Sequence, residues 1–338
     1  MPNIHDRGTT IVPADSPSTP RGSRSVALPA ETPPTARTAS LTSAEPCTPA
    51  GPTASAEPCT QSARLERLIG MLLDELPDGG DITIPDDDAG RRELMRALVN
   101  IRPPMPAPDG FLAVQDAYLR GERERPHAGG GVVDVRDLPP YHADEPGIIL
   151  WQGDITRLHA DAIVNAANDA MLGCFRPNHH CIDNAIHTFA GIQLRAECAG
   201  IMQRLGRPAR TGEPIVTGGW NLPADHVIHV TGPIVDGPLT DAHRKALADC
   251  YRSCLAAADL RGLRSVAFCS ISTGVFGFPI EQAASIAVAT VRAFLRERAE
   301  RAHGRGSTDR LPMTVVFDVF SDYDRSIYEQ ALDRPVRP

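Results

Sequence analysis

The chain's reactive side chains concentrate in Gly173-Cys174-Phe175-Arg176-Pro177-Asn178-His179-His180-Cys181-Ile182-Asp183-Asn184-Ala185-Ile186-His187, which holds two cysteines, three histidines and one aspartate. Cys174, His179 and Cys181 bring a thiolate, an imidazole and a second thiolate within one short loop. Zinc takes such N/S ligands tetrahedrally, and three protein ligands leave a fourth position open, the arrangement of a catalytic site. His179 and His180 are neighbours, so spacing does not say which one binds. The plain alternative is a Cys/His loop without a metal. Nucleotide deaminases use His-x-Glu followed by Pro-Cys-x-x-Cys. Here the order is Pro-x-His-x-Cys with no His-x-Glu nearby, so that chemistry fails.

Asp183 follows Cys181 by two residues at the start of a helical pattern. A carboxylate there is often only a cap, favoured by the helix dipole. Beside a metal it can be a general base or orient a water. His187, one turn on, reads as a packing or hydrogen-bonded residue.

A second candidate is Ser270-Ile271-Ser272-Thr273-Gly274-Val275-Phe276-Gly277-Phe278-Pro279, between a strand pattern and a long helix pattern. Its glycines let backbone approach a ligand, Pro279 suits a first helical turn, and the N–H groups of a helix N-terminus bind anions, commonly phosphate. Neither the P-loop nor the dinucleotide glycine pattern is present. Phe320, after the last strand pattern, can stack on a purine or simply edge the core.

The elements that must position these groups follow from periodicity. Apolar runs of strand length occur at Ile148–Trp151, Ala162–Val164, Val227–Val230, Ser265–Phe268 and Thr314–Phe317. Helical patterns lie between or after them at Ile182–Leu205, Asp241–Arg261, Ile280–Arg301 and Asp324–Leu332. Continuous apolar strands separated by helices predict a mixed, largely parallel sheet covered on both faces, a three-layer α/β/α fold. Ligands then sit outside the carboxyl ends of the strands.

Upstream, Leu65, Leu68, Ile69, Leu72, Leu73 and Leu76 recur at helical spacing before Pro77. Further helices are predicted over Arg91–Asn100 and Phe111–Glu124, and Val132–Val135 as a short edge strand. This is too little for an independent core, so it predicts a small helical layer packed on the domain that follows. Residues 1–62 are rich in Pro, Ser, Thr and Ala and repeat Ser-Ala-Glu-Pro-Cys-Thr, at Ser43 and again at Ser55. Such a segment cannot offset its ordering entropy by burial and is predicted to be disordered. Cys47 and Cys59 are then incidental, and a cleaved transit peptide is a weaker reading. His127–Gly131 reads as a flexible joint. The expected organisation is a tail over 1–62, a helical extension over 63–140 and the main domain over 141–338.

A net charge of −8 argues against a general nucleic-acid binder. Lys245 is the only lysine, consistent with a GC-rich genome. With no bilayer-length apolar run and no secretory signal, the expectation is a cytoplasmic protein whose eight cysteines are thiols or metal ligands. Cys198, Cys250, Cys254 and Cys269 read as small core residues.

Together these motifs resemble the macrodomain family, the ADP-ribose-binding α/β fold. Gly153-Asp154-Ile155-Thr156 and Ala162-Ile163-Val164-Asn165-Ala166-Ala167-Asn168 match its opening signature, Ser272-Thr273-Gly274-Val275-Phe276-Gly277 its phosphate loop, and Val230-Thr231-Gly232-Pro233-Ile234 its middle strand and turn. Hydrolase macrodomains typically carry a glycine-rich run before Val-Asp-Gly-x-Ile-His. The Cys174–His187 segment instead is similar to the zinc-dependent branch, whose bacterial members remove mono-ADP-ribose from proteins. Leu150-Trp151-Gln152 and the Phe111–Leu119 helix are also similar to that branch; the Pro-rich tail is not.

The resemblance implies a zinc-dependent hydrolase cleaving the bond at ribose C1″, with Cys174, His179 and Cys181 on zinc and Asp183 and Asn168 catalytic. It implies that Asp154, with Ile155 beside it, reads the adenine amino group and that Asn165 and Asn168 address the distal ribose. Ser272, Thr273, Gly274, Val275, Phe276, Gly277 and Phe278 would hold the diphosphate and ribose, and Phe320 would lie on adenine. Partners implied are an ADP-ribosylated protein, including a lipoylated carrier protein modified by a sirtuin-type transferase. Alternatives within the resemblance are a non-catalytic ADP-ribose-binding module and an O-acetyl-ADP-ribose deacetylase.

Overall fold

The computed structural model describes residues 60–77, 82–125, 131–304 and 312–335, with side chains up to 301 in the third stretch. The expected disordered tail, with Cys47 and Cys59, lies outside them except for its last three residues, as does the expected joint at 127–131 except for Gly131.

Three helices open the described chain: α1 (Gln61–Leu73), α2 (Asp88–Ile101) and α3 (Phe111–Glu124). Thr60 caps α1 by accepting from Ala63 N–H at 3.1 Å, and Asp87 caps α2 by accepting from Ala89 and Gly90. Such caps satisfy N–H groups that have no intrahelical partner. The buried face of α1 is Leu65, Leu68, Ile69 and Leu72, one side of a 3.6-residue repeat. It packs with Leu98 of α2 and Phe111 and Tyr118 of α3, and the same cluster takes in Ile192 and Phe189 of the next domain. The layer therefore shares its core with the domain it covers. Glu75 and Arg102 lock the connection after α2 through two bonds of 2.7 and 2.8 Å, and the Arg102 guanidinium also donates to the Met105 and Pro106 carbonyls.

The main sheet has six strands in the order β2-β8-β7-β4-β6-β5. They are β2 (Ile148–Gln152), β4 (Ala162–Ala167), β5 (Ile215–Gly218), β6 (His226–Thr231), β7 (Ser265–Phe268) and β8 (Thr314–Val319). All neighbours pair in parallel except β5, antiparallel to β6. β1 (Val133–Asp134) and β3 (Leu158–His159) form a separate two-stranded sheet, so the expected edge strand does not edge the main one. Side chains alternate between the faces with period two. Val164, Ile228, Val230, Val266, Phe268, Val315 and Phe317 enter one core with Leu247, Tyr251, Val291 and Tyr328 of α6 (Asp241–Leu260), α7 (Ile280–Gly304) and α8 (Asp322–Leu332). Ile163, Val227, Ala267 and Val316 enter the other, under Ile186, Leu194 and Cys198 of α4 (Ile182–Ala190) and α5 (Ile192–Leu205). This is the expected three-layer α/β/α fold.

Two local expectations are corrected. The single helix over Ile182–Leu205 is two helices, broken at Gly191 with φ 90° and ψ 171°. A Cβ there would lie 2.6 Å from the Gln115 amide nitrogen, and the Gln115 side-chain oxygen accepts from Ile192 N–H at 3.0 Å. A glutamine from α3 thus occupies the break. The strand β5 was not anticipated: its four residues follow Pro214 and end at Gly218, the first of a Gly-Gly pair, too short for a clear alternation.

Candidate functional site

The parallel strands end together at Gln152, Ala167, Thr231, Phe268 and Val319, so the loops that follow share one rim of the sheet. Asp154, Asn168, the Cys174–Cys181 loop, Gly232, Ser272–Phe278 and Phe320 all lie in those loops.

The loop after β4 leaves through Gly173, at φ 83°, where a Cβ would meet the His187 ring at 2.8 Å. Asn178 adopts φ 51° and turns the chain back. Cys174 Sγ then lies 3.4 Å from His179 Nδ1, and the ligand atoms of Cys174, His179 and Cys181 all fall within 4.8 Å of one another. Tetrahedral zinc bonds of about 2.0–2.3 Å separate neighbouring ligand atoms by roughly 3.3–3.8 Å. The donor set and its convergence therefore fit zinc. His180 is exposed and outside the trio. Burial pushes the Cys181 thiol up to about 11, with Cys174 and Asp183 adding to it. A cation between the thiols would reverse that sign.

Cys181 is the N-cap of α4, and Asp183 stands in the first turn, buried. One Asp183 oxygen accepts from Asn165 Nδ2 at 2.8 Å and the other faces Asn168 Nδ2 at 3.4 Å. Burial lifts the Asp183 carboxyl to about 6, against the Asn165 hydrogen bond and the Arg195 charge. Asn168 Nδ2 also donates to Gly173 carbonyl at 3.1 Å, tying β4 to the start of the metal-type loop. Asn165 has no exposed surface. Its amide nitrogen also meets His229 Nδ1 at 3.1 Å, and His229 Nε2 meets Thr217 Oγ1 at 3.0 Å. The residue expected at the distal ribose is thus engaged in holding Asp183.

His187, Cys198 and His229 form a second Cys/His grouping, fully inside the core. Both His229 nitrogens are already engaged, and burial keeps its ring neutral, at about 3. This grouping is core packing with a hydrogen-bond chain, as expected for Cys198 and His187. Cys250, Cys254 and Cys269 are likewise buried free thiols.

Across the rim, the loop after β7 runs through Ser272 at φ 66° and Gly277 at φ 69°. Phe278 N–H donates to the Ser272 carbonyl at 3.0 Å and Val235 N–H to the Phe276 carbonyl at 2.8 Å, joining this loop to the one after β6. Gly274, Val275 and Gly277 are exposed, Thr273 and Phe276 half-exposed, and Phe278 seals the core below. α7 starts at Ile280, so Pro279 precedes the helix as its cap and its carbonyl accepts from Ala283. At the β2/β8 end, Asp154 accepts from Thr156 N–H at 3.0 Å and Thr156 Oγ1 at 2.7 Å, Ile155 is buried, and Phe320 is 80% exposed.

Spacing gave no signal for several residues around the site. Asp318, buried in β8, has its carboxyl held well above the ordinary range by burial and by nearby Asp154. Asn184, Arg195 and His229 each touch a site residue or its loop. Asn184 also meets Arg96, 88 residues away, Arg195 meets Leu172, 23 away, and His229 meets Asn165, 64 away, so pairing across the fold reveals them.

The fold and rim define an α/β protein with its reactive groups at the carboxyl end of a parallel sheet. Within that class, this chain belongs to the macro domain family, whose pattern residues 164–287 match. A relative from Treponema medium named protein-ADP-ribose hydrolase is 45% identical over 274 residues, covering 81% of this chain and 99% of its own. One of the same name from Staphylococcus aureus strain MRSA252 is 45% identical over 276 residues, covering 81% and 97%. The crystal structure of a Trypanosoma brucei macrodomain in complex with ADP-ribose aligns with a TM-score of 0.52 at 32% identity, covering 70% of this chain and 94% of that one. Among the described residues no helix is long and apolar enough to cross a membrane.

Proposed function

We propose that this chain is a zinc-dependent protein-ADP-ribose hydrolase that removes mono-ADP-ribose from modified side chains by cleaving the bond at ribose C1″. One observation carries the reading: Cys174, His179 and Cys181 converge on the same loop-to-helix segment that brings Asp183 to Asn165 and Asn168. Relatives named for this hydrolysis span nearly their whole length on this chain. Zinc, held by the three ligands, would supply a Lewis acid beside the reacting carbon. Asp183 takes or orients the proton of the attacking water. Asn165 and Asn168 hold its carboxylate, and Asn168, which is half-exposed, also addresses the distal ribose. The exposed backbone of Gly274 to Gly277, ahead of α7, receives the diphosphate. Asp154 reads the adenine amino group and Phe320 stacks on the ring, so binding energy far from C1″ fixes that carbon in place. Thiolate ligands need a reducing compartment, and the cytoplasm supplies one.

The deciding experiment measures ADP-ribose release from a mono-ADP-ribosylated protein, a lipoylated carrier modified by a sirtuin-type transferase being the first to try. As-purified, chelator-stripped and zinc-restored enzyme are compared, with zinc content assayed in each. Activity should follow zinc down and back. Equal activity in all three would sink the metal role and leave a hydrolase built on Asp183.

The phosphate loop gives a separate expectation. A Cβ on Gly232 would lie 2.0 Å from Ser272 Oγ and 2.8 Å from Ile271 Cγ2. Gly232→Ala must therefore push aside the Ser272 and Ile271 side chains of the loop, and overpacking of this kind costs about 1–3 kcal/mol. Titration calorimetry should find ADP-ribose bound about tenfold more weakly, since tenfold is 1.4 kcal/mol. An unchanged affinity would mean the loop does not hold the ligand.

A further inference from the structure

We propose that Arg96 of α2 is a positioning residue for the Cys174/His179/Cys181 loop, so that the helical extension sets the affinity of the site for its metal. This rests on the zinc reading above. The loop has little regular structure of its own, and several of its backbone polar groups are taken up by side chains from three helices. Arg96 donates from Nη2 to the His179 carbonyl at 3.3 Å and from Nε and Nη2 to the Asn184 side-chain oxygen at 3.0 and 2.8 Å. Asn184 is fully buried, and its amide nitrogen passes the contact on to the Arg176 carbonyl at 3.0 Å. Asn184 N–H also meets Cys181 Sγ at 3.4 Å.

A second residue of α2 supports the same loop. Asn100, fully buried, accepts from Asn178 N–H and donates to Thr188 Oγ1, each at 3.0 Å. Behind the loop, Arg195 of α5 donates to the Leu172 carbonyl at 2.8 Å and to the Val99 carbonyl of α2 at 2.9 Å, with its guanidinium 4.5 Å from the Phe175 ring centroid. α2 therefore grips the ligand-bearing segment at Asn178 and His179, one residue from a ligand and at a ligand itself.

A guanidinium is suited to this task because its fork reaches two acceptors at once, which an ammonium does not reproduce. Groups that hold metal ligands from behind typically change metal affinity 10- to 100-fold when removed. Arg96 is half-buried and touches neither the rim residues that face ADP-ribose nor Asp183.

The test is the zinc dissociation constant of the full chain, from competition with a chromophoric chelator, for wild type, Arg96→Ala and Arg96→Lys. Cobalt substitution provides an independent readout through the thiolate-to-cobalt absorption band. Arg96→Ala should weaken zinc by 10- to 100-fold and reduce or shift the cobalt band, with ADP-ribose affinity within about twofold of wild type. Arg96→Lys, which retains charge and stem, should fall between the two and covers the case in which the alanine variant does not fold. Saturating zinc should restore turnover in both variants. Zinc affinity within twofold of wild type in a folded Arg96 variant overturns the proposal. Wild type that binds neither zinc nor cobalt overturns the zinc reading itself, and is told apart from the first failure by the wild-type control.

Discussion

Cys174→Ala should purify with zinc at background level, lose at least about 100-fold in turnover, and still bind ADP-ribose within about threefold of wild type. The separation follows from geometry. Cys174 lies in the trio on the loop after β4, whereas the groups expected to hold adenine and diphosphate stand after β2, β7 and β8. Losing one of three protein ligands leaves a thiolate and an imidazole, too few to hold a catalytic zinc. His180→Ala is the matched control, because His180 is exposed and outside the trio, and it should leave zinc and turnover unchanged. Metal analysis, calorimetry with ADP-ribose and a release assay check all three statements. A Cys174→Ala enzyme with wild-type turnover would remove the metal from the mechanism.

Asp183→Asn should retain zinc and ADP-ribose but lose about 10²- to 10⁴-fold in kcat, the range for removing a general base. The substitution preserves shape and removes the proton acceptor. It also disturbs a defined pattern of hydrogen bonds. Asn165 and Asn168 both direct amide nitrogens at the carboxylate, at 2.8 and 3.4 Å. A side-chain amide can turn its oxygen to only one of them, and should choose Asn165, the nearer. Its nitrogen then faces the Asn168 nitrogen, donor against donor, so Asn168 should relax. Burial makes the neutral side chain easier to accommodate than the carboxylate, which offsets the lost charged hydrogen bond. The melting temperature should therefore move little, and the defect should appear in kcat rather than in KM. A normal kcat would shift the base elsewhere and leave Asp183 a first-turn carboxylate held by Asn165 and Asn168.

These two expectations draw on different levels of information. The convergence of Cys174, His179 and Cys181 was legible because the three are close in sequence, and a short loop can bring such neighbours together whatever the rest of the chain does. The same locality made the helices readable: α3 begins at Phe111 and ends at Glu124 as its apolar spacing predicts. The parallel strands were readable because burial on both faces leaves continuous apolar runs.

What only the tertiary structure decided was set by residues far apart in the chain. β4 lies between β7 and β6, and that strand order brings Asn165 to His229, 64 residues on, while α4 folded back on the sheet brings it to Asp183, 18 residues on. No spacing rule encodes such pairs, because they arise when crossovers lay strands side by side and helices against them. The break at Gly191 belongs to the same category, since Gln115 of α3 fills it from outside the helix. Convergence of ligand atoms, not spacing, separates His179 from His180. By itself the sequence determined which reactive side chains the chain gathers in one loop and most of the elements that bear them. The packing of three layers decided which side chains meet, because hydrogen bonds and burial act on distance in space, and folding sets that distance independently of separation along the chain.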